Sequence, residues 1–108
     1  MLTFTIRQLQ SYTRTKYNKK EFTNSLFMKL VEEVGEVAEA INKNDGRKKD
    51  DGLSSLADEL ADVIHYAVAI ATINDIDLEQ IILAKDQVAS KKYNQSPNLF
   101  EYLANSND

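Results

Sequence analysis

The sequence has no cysteine and no tryptophan, a single histidine, a single proline and three glycines in 108 residues. Without cysteine there can be no disulfide and no thiolate metal site, a usage that agrees with a cytoplasmic protein. Nothing before Pro97 imposes a proline break on a helix. Hydrophobic runs are short as well: none approaches about 18 residues, and the opening MLTFTIRQLQ lacks an apolar leader core, so neither a membrane span nor a secretion signal is expected. A basic excess is also missing. With 13 Lys and Arg against 17 Asp and Glu, the net charge of −4 argues against general binding to a nucleic-acid polymer. One soluble domain spanning 1–108 is expected. A chain of this length buries only roughly two-thirds of its unfolded surface, so packing against a second copy would add to a modest core.

What is present is helical periodicity. Thr5-x-x-Gln8 has the form of a capping box ahead of Ile6, Leu9 and Tyr17, which predicts a first helix over about 5–17. After a break at NKKE, apolar residues from Phe22 to Ile41 recur at helical spacing, the clearest element in the chain. It runs into NKNDGRKKDDG (42–52), where two glycines and nine polar residues read as a loop. A third helix is expected from Leu53 to about Ile73, apolar on nearly every side after Asp62, as in a buried helix. Asp77 with Gln80 can cap a fourth helix that reaches about Tyr93 before Ser96-Pro97 ends it. The tail, 97–108, is expected to be partly ordered through Leu99, Phe100, Tyr102 and Leu103. With no alternation of strand type, the fold class is all-α, a bundle of about four helices.

The segment KLVEEVGEVAEAI (29–41) carries four glutamates beside that apolar stripe. At about 100° per residue, Glu33 falls at the margin of the apolar face and Glu36 one turn on, whereas Glu32 and Glu39 point away from it. On the third helix the same construction aligns Glu59 with Tyr66 and Ile70 and puts Asp62 beside Ala69 and Ile73, within an apolar sector. His65 falls on a more polar edge, as a surface or rim residue. Carboxylates brought together near a core repel one another unless protons or a cation neutralise them. Hard oxygen ligands point to Mg²⁺, with Mn²⁺ as its substitute, rather than zinc or copper. Glutamate-rich amphipathic helices are common, and a single ExxE pair says little by itself. The weight lies on Glu33, Glu36, Glu59 and Asp62 taken together.

EEVGE (32–36), followed after 22 residues by ELAD (59–62), resembles the EExxE and ExxD signature of the MazG-like nucleotide pyrophosphohydrolases. The similarity extends along both helices and into DIDLEQIILAKDQVASKKYN, covering about 22–94. It implies an all-α fold assembled as a homodimer or dimer of dimers. It also implies Mg²⁺-dependent hydrolysis of a nucleoside triphosphate, standard or non-canonical, to monophosphate and pyrophosphate, in the manner of nucleotide-pool house-cleaning. By position, Glu33, Glu36, Glu59 and Asp62 would be metal ligands, with Glu33 or Glu36 as the catalytic base. Lys29 would lie near the phosphates, Tyr66 near the base or sugar, and Lys85, Lys92 and Tyr93 would supply further substrate contacts. The family often has Asn where this chain has Ala89, and Arg where it has Lys92, which keeps the charge and loses the bidentate fork. Two rival readings are a phosphoribosyl-ATP pyrophosphohydrolase and a non-enzymatic dimeric helical module. The basic loop GRKK (46–49) could cover a triphosphate, although such loops between helices are more commonly solvated.

Overall fold

The computed structural model describes residues 1–47, 49, 52 and 55–106. Among them there are five α-helices and no strand: α1 (Ile6–Arg14), α2 (Thr23–Asn44), α3 (Leu56–Ile73), α4 (Leu78–Lys92) and α5 (Leu99–Ser106), with a 3₁₀ turn at Lys20–Phe22. The all-α expectation holds, and the count is one higher than sequence periodicity suggested. The chain divides into two compact units, Met1–Ile76 and Asp77–Asp108.

In the first unit α3 is the central element, with α1 and α2 both packed on it. The Thr5 hydroxyl accepts from the Gln8 amide at 3.0 Å while the Gln8 side chain accepts from the Thr5 amide at 2.8 Å, so the capping box forms as its sequence suggests. Each such cap is worth about 1 kcal/mol. Helix α1 ends at Arg14, sooner than the expected 17, and Tyr17 follows the turn. Leu26, Ala69 and Ile73 form the core, with Tyr17, Tyr66 and Ile70 packed against it.

Side chains bond to backbone carbonyls in the last turn of α3 and in the turn that follows it. Arg14 donates to the Thr72 carbonyl at 2.9 Å, Gln10 to the Ile76 carbonyl at 2.7 Å, and Asn74 to the Ile70 carbonyl at 2.9 Å. Beneath them the Thr13 and Thr72 hydroxyls, both fully buried, lie 2.8 Å apart. Each also sits 2.9 Å from a backbone carbonyl of its own helix, so of the two hydroxyl hydrogens one bridges the helices and the other stays local. This polar lock fixes α1 on α3.

Two sequence expectations about burial need correction. Helix α3 is covered over Val68, Ala69, Ala71, Thr72 and Ile73, yet Ile64 and Ala67, also past Asp62, remain exposed. More than half of the expected apolar face of α2 is likewise uncovered, at Phe27, Val31, Val34, Ala38 and Ile41. The physical reason is geometric: α2 presents a stripe wider than one neighbouring helix can bury.

In the second unit Asp77 caps α4 by accepting from the Gln80 amide, as expected, and α4 runs to Lys92 with Tyr93 as its last, C-capping residue. The tail is more regular than anticipated. Asn98 and Glu101 exchange side-chain and backbone hydrogen bonds at 2.9 and 3.0 Å, a second capping box that starts α5. The Asp86 carboxylate on α4 accepts from the Leu99 amide at 2.6 Å and holds that start in place.

Candidate metal and nucleotide site

The α2–α3 pairing brings three carboxylates together. Glu33 comes from the middle of α2, and Glu59 and Asp62 come from the first turns of α3. One oxygen of each lies within 4.8 Å of the others. Local sequence accounts for the placement. Ser55 caps α3 by accepting from the Asp58 amide at 3.1 Å, and the partial positive charge of that helix end favours carboxylates in its first turn.

The three are not equivalent. Glu59 is 8% exposed, Glu33 is half-buried and Asp62 is exposed. Glu59 therefore occupies the apolar sector assigned to it, whereas Asp62 does not, because the flank of α3 beside it is uncovered in this unit. The Glu33 carboxyl is pushed above the usual carboxylate range. The main cause is a hydrogen bond with Glu59, followed by partial burial and by the negative charges of Asp62, Glu59 and Glu32. Crowded oxygens with no cationic partner among them hold either a shared proton or a cation. An all-carboxylate donor set fits a hard divalent ion such as Mg²⁺ or Mn²⁺ and offers nothing to a soft one.

The other anticipated residues fall as follows. Glu36, half-buried one turn along α2 from Glu33, is outside the close group of three. Lys29 is exposed and pairs with Glu32 at 3.5 Å, a surface contact worth less than about 1 kcal/mol that Lys29 can leave at little cost. Tyr66 lies against the core and meets the His65 ring edge-on at 4.9 Å. In the second unit, Lys85, Lys92 and Tyr93 line one cavity of about 420 Å³, with the Lys92 ammonium 5.4 Å from the Tyr93 ring. In the 42–52 loop Arg47 pairs with Asp45 at 3.9 Å on the surface; Lys48 lies outside the described residues.

Sequence reasoning missed the setting of His65. It is not a solvated rim residue: half-buried, it shares a 3.0 Å hydrogen bond with the Tyr17 hydroxyl through Nε2. No local pattern joins two residues 48 positions apart.

Carboxylates brought together from two packed helices of an all-α chain make a donor set that fits a hard divalent cation, and sequence comparison gives the family. Residues 22–100 match the MazG nucleotide pyrophosphohydrolase domain. The chain is 33% identical over 96 residues to human dCTP pyrophosphatase 1, an alignment covering 82% of this chain and 56% of that protein, so it spans little more than half of its relative's length. Crystal structures of iMazG from Vibrio DAT 722 are similar in fold. The N-tagged form gives a TM-score of 0.68 at 34% identity, covering 85% of this chain and 100% of the other. The C-tagged form gives 0.66 at 33%, covering 81% and 99%. The chain belongs to the MazG nucleotide pyrophosphohydrolase family.

Proposed function

We propose that this protein is a Mg²⁺-dependent nucleoside triphosphate pyrophosphohydrolase, releasing monophosphate and pyrophosphate, with Mn²⁺ able to replace Mg²⁺. The observation that carries the reading is the meeting of Glu33, Glu59 and Asp62 from two helices, close enough for the Glu59 carboxyl and the neighbouring charges to raise the proton affinity of Glu33. In this reading Glu33, Glu59 and Asp62 hold the ion, and Glu36 completes the set from the next turn of α2. One of Glu33 and Glu36 takes the proton from the attacking water instead of serving as a ligand. The bound ion supplies charge neutralisation to the phosphate oxygens. Lys29 leaves Glu32 to pair with phosphate, Tyr66 borders the nucleoside, and Lys85, Lys92 and Tyr93 provide further contacts to the substrate.

The human relative's name makes dCTP a natural first substrate to try, within a wider set of standard and modified nucleoside triphosphates. Assembly as a homodimer or dimer of dimers accompanies this reading, because Phe27, Val31, Val34 and Ile64 are apolar and uncovered within one chain. No described helix is long and apolar enough to cross a membrane. We place the activity in the cytoplasm, on free nucleotides rather than nucleic-acid polymers.

The test is pyrophosphate release from a panel of nucleoside triphosphates that includes dCTP and phosphoribosyl-ATP, with Mg²⁺ or with EDTA. Metal-dependent pyrophosphate from a nucleoside triphosphate supports the proposal. Release from phosphoribosyl-ATP alone would move the protein to the rival enzyme class, and silence across the panel would favour a binding module.

A further inference from the structure

His65 is the chain's single histidine, and the acid cluster makes no use of it. It stands on α3 one turn after Asp62, between two tyrosines. The Tyr17 hydroxyl lies 3.0 Å from Nε2, with the rings meeting at 70° and 5.7 Å between centroids, and Tyr66 meets the imidazole at 89° on its other side. These contacts fix the ring. In the neutral imidazole they also couple the two nitrogens: where Tyr17 donates to Nε2, Nδ1 carries the hydrogen and donates, and where Tyr17 accepts, Nδ1 is an acceptor.

Beside this trio is a cavity of about 490 Å³ with mainly apolar walls, lined by Phe4, Leu9, Ile64, His65 and Tyr66 and reaching Asp62. Its volume is that of a small-molecule site, for which about 300–1,000 Å³ is usual. Asp62 belongs both to this cavity and to the acid cluster. A ligand with its anionic end at the cluster therefore has an aromatic-walled recess next to it for its other end, with one fixed polar ring in the wall. Planar bases suit such walls through stacking and edge contacts, and a single oriented hydrogen-bonding atom is what separates one base from another.

We propose that this cavity receives the base of the nucleotide and that His65 is a specificity-determining residue, selecting among bases through the ring nitrogen Tyr17 leaves over. Tyr17 acts through His65 as a positioning residue. The proposal rests on the nucleotide reading above and goes beyond it by naming what discriminates the base.

The experiment compares wild type with His65→Leu, His65→Gln and Tyr17→Phe in two assays, with folding checked by circular dichroism. One assay is kcat and KM on triphosphates of the four common bases; the other is calorimetric binding of the matching monophosphates in EDTA. The expected result for His65→Leu is an approximately tenfold narrowing of selectivity between the best and worst bases, carried by KM, with kcat on the best substrate within about twofold of wild type. Tyr17→Phe shifts selectivity in the same direction, and His65→Gln recovers part of it. Unchanged selectivity in all folded variants would overturn the proposal, because a histidine that merely ties α1 to α3 would alter stability alone. Should His65→Leu fail to fold, the other two variants decide in the same way. If wild type hydrolyses nothing, the proposed function falls while the cavity is still judged by monophosphate binding. Base-dependent binding lost in the variants supports the assignment, and absent or base-indifferent binding overturns it.

Discussion

One carboxylate oxygen of Glu33 on α2 lies within 4.8 Å of one of Glu59 on α3, and hydrogen bonding between the two carboxyls is the largest cause of the raised proton affinity of Glu33. Two carboxyl groups can share such a bond only while one is protonated. The metal-free protein should therefore respond to pH in a defined direction. Between the usual glutamate range and the raised range of Glu33 the folded state binds more proton than the unfolded state, so this contribution to stability is full below that window and is lost as pH rises through it. Denaturant melts in EDTA at stepped pH should show stability declining across the window. Glu33→Gln should flatten the decline, and an equal decline in that variant would assign the effect elsewhere.

Divalent ions should act on the same cluster. Mg²⁺ or Mn²⁺ is expected to raise the melting temperature, by about 2.7 kcal/mol of stabilisation at a hundred times the dissociation constant. EDTA should return the protein to its metal-free value without unfolding it, since the core of Leu26, Ala69 and Ile73 is independent of the acids. A response confined to zinc would contradict an all-carboxylate site.

Asp62→Asn and Glu36→Gln should each lower pyrophosphate release by roughly a hundredfold or more, because each removes a carboxylate from the set that would hold the ion neutralising the reacting phosphate. Helicity should be unchanged, because Asp62 is exposed and Glu36 half-buried. Relief of repulsion should leave the metal-free melting temperature equal or higher. Circular dichroism alongside the assay separates this outcome from misfolding, and full Mg²⁺-dependent activity in both variants would remove these residues from the site.

Much of this arrangement was legible in the sequence, for reasons that differ by element. Helix α2 declared itself because its apolar spacing is sustained, and the Thr5–Gln8 and Asp77–Gln80 caps because capping is a local interaction. The same kind of signal, Asn98 with Glu101, stood in the tail and predicts α5, but Pro97 beside it drew the reading toward a stop. Glu59 was placed correctly by the helical wheel. Asp62 was not, because a wheel gives direction and not whether a neighbour covers it. The His65–Tyr17 bond depends wholly on how α1 meets α3, which no local pattern carries.

The uncovered apolar faces give a prediction about assembly. Val31 is 48% exposed on α2 and away from the acids' close group, so Val31→Asp should cost the isolated chain little while splitting a dimer that uses this face. Light scattering at micromolar protein should find wild type larger than a monomer and Val31→Asp monomeric with reduced activity. A fully active monomeric wild type would refute the assembly.

The most direct test of the metal assignment is anomalous scattering from crystals grown with Mn²⁺ and a non-hydrolysable triphosphate analogue. The account predicts a manganese peak among the Glu33, Glu59 and Asp62 carboxylates, with phosphate oxygens of the analogue in contact with the same ion. Bound analogue with manganese elsewhere, or with none at these three side chains, would contradict it.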